Sequence, residues 1–281
     1  MNLRRLAINN PPILNENEEM RLALKKINEK GIGRILLINN NNELTGIIST
    51  RDILEHLAKS YESSGNFSAF LNTKLSNLMS KNLIFVYENE DLMDALSLMV
   101  IRNIGSLPIV NQYKRPIGII TERSLLFLYN DLREEIKVSL FSSRKVQTIK
   151  KETLILDAIK MMIKRGFRRL PVENEENKVI GIITAVDIIK AIAKLSSSDK
   201  LDRILEMKAK DLMKTQIETI NFDDYLNTAA RKLLEKNIGS LLILNEQGFV
   251  EGIITERDLL FGLYHLLIYQ KYLKQLATKP T

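Results

Sequence analysis

One short pattern occurs four times in this 281-residue chain, and that recurrence limits the possible folds more than any other feature. The copies are Gly46-Ile47-Ile48-Ser49-Thr50-Arg51-Asp52, Gly118-Ile119-Ile120-Thr121-Glu122-Arg123-Ser124, Gly181-Ile182-Ile183-Thr184-Ala185-Val186-Asp187 and Gly252-Ile253-Ile254-Thr255-Glu256-Arg257-Asp258. Each reads as the end of a buried strand running into the first turn of a helix. In the last copy Thr255 stands where an N-cap belongs and Asp258 follows three residues later. A cap oxygen satisfies an orphan backbone N–H, and an acidic residue suits the positive helix end. The same geometry can hold a phosphate. Recurrence of this kind implies a stack of supersecondary units that bury their apolar faces against one another.

The register extends upstream. Arg34, Ser106, Arg169 and Ser240 stand at one common distance before the four glycines, and each opens a short apolar run. Further upstream lie four helical stripes: Met20, Ala23, Leu24, Ile27; Leu92, Ala95, Leu96, Met99; Ile155, Ala158, Ile159, Met162; and Leu226, Ala229, Ala230, Leu233. This is the i, i+3, i+4, i+7 spacing of one buried helix face. The alanine at the second place of every stripe predicts close approach of the helix to a sheet. Each unit therefore reads β-α-β-β-α. Copies two and four share Asn-Ile-Gly-Ser-Leu (Asn103 to Leu107, Asn237 to Leu241), and copies one and three carry arginine where those two carry serine. The alternation predicts that a two-unit module was duplicated.

The units are expected at residues 1–68, 69–137, 138–198 and 199–281. Unit one predicts a helix capped near Asn15, with Glu18 at the capping-box position. Unit two predicts a long last helix from Glu122 toward Ile136, followed by a linker, Lys137 to Arg144. Ser63-Ser64-Gly65-Asn66 and Ser196-Ser197-Ser198-Asp199 read as connectors. The last helix of unit four is expected to be extended. Its tail, with Leu266, Leu267, Ile268, Tyr272 and Leu273, is expected to pack across the other module or a second copy of the chain.

Composition excludes several classes of function. The absence of cysteine removes disulfides and thiolate metal sites. His56 and His265 have no Glu or Cys at ligand spacing, and a surface or packing role fits both. There is no Ser-His-Asp candidate and no glycine-rich loop of Walker spacing, so an enzyme is not expected. No apolar run spans a bilayer, and no apolar segment follows the N-terminal arginines as in a secretory signal. A cytoplasmic location is the expectation. The net charge of +7 favours anionic partners, yet the basic residues are scattered among acidic ones on helices. No zinc finger, basic zipper or aromatic ribonucleoprotein motif accompanies them.

Together these residues resemble the cystathionine-β-synthase (CBS) domain, a β-α-β-β-α unit with a Gly-h-h-Thr/Ser-x-x-Asp signature, h being apolar. Its upstream Leu-Pro-Val run is matched by Leu107-Pro108-Ile109 and Leu170-Pro171-Val172. The resemblance covers nearly the whole chain. It implies an α+β fold of α/β sandwich-like units, paired through their sheets into two Bateman modules. Four units in one chain also look like the regulatory gamma subunit of AMP-activated kinase. The resemblance implies a non-catalytic sensor of AMP, or of ADP, ATP or S-adenosylmethionine, with no further cofactor. The expected partners are that nucleotide and a regulated protein; a homodimer is a further possibility. Two rivals stand beside it: a nucleic-acid-associated regulator using the basic surface, and a scaffold with vestigial clefts.

The candidate site follows from the needs of a nucleotide. Asp52, Asp187 and Asp258 each sit one helical turn past the cap, where a carboxylate can accept from ribose hydroxyls in charge-assisted bonds. The hydroxyls of Ser49, Thr184 and Thr255, with the helix-end amides, are candidate phosphate donors. The resemblance implies that Arg34 and Arg169 reach a phosphate, with Arg168 assisting. Two directions are open to Arg51, Arg123 and Arg257, inward or to solvent; Arg257 is counted with the site. Ile84, Val86, Ile217 and Ile220 on the leading strands are expected to line the base slot. Against all this, Thr-x-x-Asp is also an ordinary capping arrangement. Ser124 replaces the aspartate in copy two, so that cleft is expected to bind weakly. Copies three and four look most complete, which favours the second module.

Overall fold

The computed structural model describes residues 3–64, 67–80, 82–133, 135–195 and 201–277. Unit one contains β1 (Ile13–Asn15), α1 (Met20–Lys30), β2 (Arg34–Ile38), β3 (Leu44–Ser49), α2 (Thr50–Ser64) and the short α3 (Phe67–Leu71). Unit two contains β4 (Val86–Tyr87), α4 (Leu92–Ile101), β5 (Ser106–Val110), β6 (Pro116–Thr121) and α5 (Glu122–Leu125). Unit three contains β7 (Ile149–Lys150), α6 (Ile155–Arg165), β8 (Arg169–Glu173), β9 (Val179–Thr184) and α7 (Ala185–Leu195). Unit four contains α8 (Ala209–Leu212), α9 (Leu226–Glu235), β10 (Ser240–Leu244), β11 (Val250–Thr255) and α10 (Glu256–Ala277).

The first three units each form a three-stranded sheet in chain order, with a parallel first pair and an antiparallel second. In unit four β10 and β11 pair alone, and a single parallel bridge, Thr219 to Leu242, stands for the leading strand. The antiparallel register is the same in all four. It sets Arg34 opposite Ser49, Ser106 opposite Thr121, Arg169 opposite Thr184 and Ser240 opposite Thr255. The residue that opens each middle strand is thereby fixed beside the cap hydroxyl.

All four predicted stripes are buried. They form two shared cores. Units one and three contribute Leu24, Ile27, Leu54, Leu57, Ile159 and Ile189 to the first. Units two and four contribute Leu96, Met99, Tyr129, Leu233 and Leu263 to the second. The sheets of units one and two meet through Leu36, Leu44, Val110 and Ile119, and Leu44 N donates to Lys114 O at 2.8 Å. At the matching place in units three and four, Val179 N donates to Gly248 O at 3.1 Å. Sheet contacts thus join one to two and three to four, while helices join one to three and two to four.

Each pair is also laced by exchange of leading segments. Antiparallel bridges join Ile8 to Ile119, Ser80 to Ile47, Ser143 to Ile253 and Lys214 to Ile182. The signature glycine is needed where the partner's segment lies on the strand. A Cβ on Gly181 would stand 2.6 Å from Met213 Sδ and 2.9 Å from the Lys214 carbonyl. Gly46 faces Met79 in the same way.

Several expectations need correction. Helix α1 begins at Met20, not near Asn15; the Glu18 carboxylate accepts from Asn15 N at 3.0 Å within a preceding turn. Helix α5 is four residues long and tightens into a 3₁₀ stretch, Leu126–Asp131. Its buried residues pair three apart, Leu125 with Leu128 and Leu126 with Tyr129, the spacing of a 3₁₀ turn. Residues 137–144 are no free linker: Val138 is buried, and its N–H donates to Asp224 O at 2.8 Å. Helix α10 is long, as expected. Leu266 is buried, but Ile268, Tyr272 and Leu273 are exposed rather than packed on another module. Of the expected connectors, Gly65-Asn66 and Ser196 to Asp199 lie outside the described residues. Among those residues, no helix is long and apolar enough to cross a membrane.

Candidate functional site

The signature acids close capping boxes. Asp258 Oδ2 accepts from Thr255 N and Thr255 Oγ1, both at 2.7 Å. Asp52 Oδ2 accepts from Ser49 N at 2.7 Å and Ser49 Oγ at 2.8 Å. Asp187 Oδ2 accepts from Thr184 N at 3.2 Å and Thr184 Oγ1 at 2.5 Å. A hydroxyl has one proton, so each cap hydroxyl spends its donor on the carboxylate. Each aspartate keeps Oδ1. In Asp187 that oxygen faces Lys214 Nζ at 2.8 Å; in Asp258 it has no partner among the described residues. Ser124 closes the box by itself, accepting from Thr121 N at 2.9 Å and donating to Thr121 O at 3.0 Å, and no carboxylate oxygen is left over.

The alternation of arginine and serine has a steric cause. At the join of units three and four, Arg169 donates to the Gly239 carbonyl, and a Cβ on Gly239 would stand 2.5 Å from Arg169 Nη2. At the join of units one and two, Arg34 donates to Ser106 Oγ at 3.2 Å and to Gly33 O at 2.8 Å. There a Cβ on Gly105 would stand 3.2 Å from Arg34 Nη2 and 3.1 Å from Glu122 Oε1. In each pair one unit supplies the arginine and the other supplies the glycine and serine that lie against it.

These arginines converge with others. Arg168 donates to Glu122 Oε2 at 2.6 Å, and Arg257 donates to Glu122 Oε1. Glu122 is 2% exposed. Burial alone would raise its carboxyl, but Arg168 and Arg257 hold it below the usual carboxylate range. Arg34 and Arg169 have no carboxylate at ion-pair distance among the described residues. Burial, then the neighbouring Arg168, lowers Arg34 to about 10 and lowers Arg169 as well. Like charges on the order of 6 Å apart repel by about 3 kcal/mol at an effective dielectric of ~20. A cluster in this state is built to attract an anion.

Two cavities open on the cluster. The first, of about 400 Å³, is lined by Thr184, Asp187, Ile217, Lys214, Arg34, Arg168 and Arg169, together with Glu122. The second, of about 470 Å³, is lined by Ser49, Thr255, Asp258, Arg257, Arg34, Arg168 and Arg169. Both sizes suit a small-molecule site. Burial raises the Asp258 carboxyl, against hydrogen bonds from Thr255 and the charge of Arg169.

Most of the sequence-derived candidates are therefore brought together. Two are not. Ile220 is buried in the shared core of units two and four. It lies an odd number of residues from Ile217 on an extended segment, so the two side chains take opposite faces. Val86 is buried in the same core. Asp52 forms its cap but does not line either cavity. Arg123 and Arg257 are partly enclosed, whereas Arg51 is exposed. Arg123 donates to Ile238 O at 2.8 Å and Leu233 O at 2.9 Å, at the C-terminal end of α9. Arg51 donates to Ile163 O at 3.2 Å, and Arg257 to Asn103 O at 3.1 Å. Each satisfies carbonyls at the helix end of the unit across the helix-helix join, where a cation also suits the dipole. Glu122 and Lys214 were missed as site residues. Glu122 and Glu256 hold equivalent positions, and only the tertiary arrangement selects which one is buried.

The CBS domain family profile matches residues 3–59, 75–131, 136–194 and 209–265. Uncharacterized protein MJ1225 of Methanocaldococcus jannaschii is 29% identical over 255 residues, 86% of this chain and 91% of its own. Its crystal structure, described as that of a candidate archaeal homologue of γ-AMPK, aligns with a TM-score of 0.84 and 28% identity, covering 94% of this chain and 100% of that one. A conserved uncharacterised protein from Pyrococcus horikoshii shares the fold at 19% identity, with a TM-score of 0.62 over 94% of this chain and 100% of its own. An uncharacterised 33.4 kDa protein of Thermofilum pendens is 26% identical over 246 residues, 83% of this chain and 81% of its own.

Proposed function

This chain belongs to the CBS domain family, and from that premise we propose that it is a non-catalytic sensor that binds an adenine nucleotide, AMP before the others, in the two clefts of its second module. The observation that carries this reading is the pairing of Asp258 and Arg169 on one cavity wall. Asp258 offers a carboxylate oxygen that its cap does not use, suited to a ribose diol. Arg169 offers a guanidinium that no carboxylate neutralises, suited to a phosphate. Similarity to MJ1225, described as a candidate homologue of γ-AMPK, supports the regulatory part of the proposal.

The Asp187 cleft is the second site. Its free oxygen is held by Lys214, which is mostly exposed and can turn to a phosphate when a ribose takes its place. Nucleotide spanning two units would bias their relative arrangement, and a partner protein would read the change. Only unequal affinity for the two arrangements can drive such a shift. A thermal-shift panel of AMP, ADP, ATP and S-adenosylmethionine tests the proposal. A ligand present at ~100 times its dissociation constant adds roughly 2.7 kcal/mol to stability. No shift with any of the four would leave a scaffold with vestigial clefts.

A further inference from the structure

The central arginines hold one internal anion. Glu122 comes from the first module, and the two arginines on its carboxylate, Arg168 and Arg257, come from units three and four of the second. It lies within the wall of the Asp187 cavity and beside Arg34, as the shared approach to Gly105 fixes. Arg168 lines both cavities, so the group that would meet an incoming phosphate is the group that Glu122 already occupies. Of the other acids of this region, Glu256 is paired with Arg123 at 3.0 Å and Asp187 with Lys214 at 2.8 Å, so neither adds net charge, while Asp258 adds one negative charge. Arg34, Arg168, Arg169 and Arg257 against Glu122 and Asp258 leave an excess of two positive charges for a ligand.

We propose that Glu122 is a specificity-determining residue: a fixed internal carboxylate that limits how many negative charges the nucleotide bound beside it can carry. The inference rests on the adenine-nucleotide reading of the same clefts and deepens it. A nucleoside monophosphate takes up the guanidinium edges of Arg34 and Arg169 that face neutral acceptors. Each further phosphate must lie nearer the Glu122 carboxylate or displace it from Arg168. Displacement strands a buried anion, which is costly; proximity sets like charges together where water screens them little. Glu122 therefore lowers the ATP-to-AMP affinity ratio below the value the arginines alone would set. Glu122 acts on the ligand's phosphate through its charge and through the two arginines it holds, Arg168 and Arg257, so its effect is on selectivity by charge and not on recognition of the base.

The test is calorimetric titration of the full chain with adenosine, AMP, ADP and ATP, without divalent cations and at one ionic strength. Glu122→Gln keeps the side-chain shape and removes the charge. It is expected to raise the ATP-to-AMP affinity ratio by about tenfold or more, the effect of one poorly screened charge, and to leave adenosine unchanged. Arg168→Gln removes a cation from the same place and is expected to lower the ratio; Arg168→Lys keeps the charge and the wild-type ratio. Should Glu122→Gln fail to fold, the Arg168 variants decide alone. A ratio unchanged in Glu122→Gln, or in Arg168→Gln where only that variant folds, overturns the inference while the nucleotide reading survives. Wild-type protein that binds none of the nucleotides overturns the nucleotide reading and the inference with it.

Discussion

Arg168 of the third unit reaches Glu122 of the second at 2.6 Å and so ties the two modules across their join. The carboxylate is buried and the guanidinium half-buried. Removing one partner of such a pair leaves an uncompensated buried charge, a loss of about 3–5 kcal/mol. Glu122→Ala is therefore expected to cost that much in urea unfolding at neutral pH.

The same contact predicts a pH dependence. The arginines hold Glu122 below the ordinary glutamate value of 4.5 in the folded chain. A depressed carboxyl contributes stability that is whole above the unfolded value and is lost as pH falls through the folded one. The gap in melting temperature between wild type and Glu122→Gln should thus be widest near neutrality and close as pH drops below about 4.5. A gap that stays constant down to pH ~3 would show that the carboxylate charge contributes nothing.

Two glycine substitutions should separate packing from binding. Gly181→Ala drives a Cβ against the Lys214 backbone, and overpacking of this kind costs about 1–3 kcal/mol. Gly239→Ala meets only the flexible end of Arg169. It should leave the melting temperature nearly unchanged while weakening nucleotide binding, because Arg169 must move. Equal losses of stability in both variants would refute the distinction.

Tyr129 donates to Leu259 O at 2.7 Å, from unit two into α10 of unit four. Burial pushes the phenol well above its ordinary range, so it stays a donor. Tyr129→Phe removes one buried hydrogen bond and keeps the ring, which should cost about 1 kcal/mol. Nucleotide affinity should not change.

Much of this was legible in the sequence because the repeats announce themselves. Four apolar stripes at helical spacing gave the buried faces, from Met20 to Leu233, and the common spacing before the glycines marked Arg34 and Arg169 as the openings of the middle strands, which the structure sets opposite Ser49 and Thr184. What failed was whatever depends on a distant unit. Nothing near Val138 says that it docks on unit four. The Thr-Glu-Arg triplet is identical in copies two and four, yet Glu122 is fully enclosed and Glu256 is not. The odd spacing of Ile217 and Ile220 did carry a signal, since alternation forbids both from facing one cleft. In the C-terminal tail Leu266 and Leu267 join the core shared with unit two, while Tyr272 and Leu273 remain exposed.

In the proposed site the unused oxygen of Asp258 grips a ribose. Titration of AMP into wild type and Asp258→Asn tests it most directly, because asparagine can still accept from Thr255 N and keep the cap. A charge-assisted hydrogen bond contributes roughly 1.5–3 kcal/mol, so affinity should fall about 10- to 100-fold with the fold intact. Equal affinity in the two proteins would contradict the account and return Asp258 to the role of a helix cap alone.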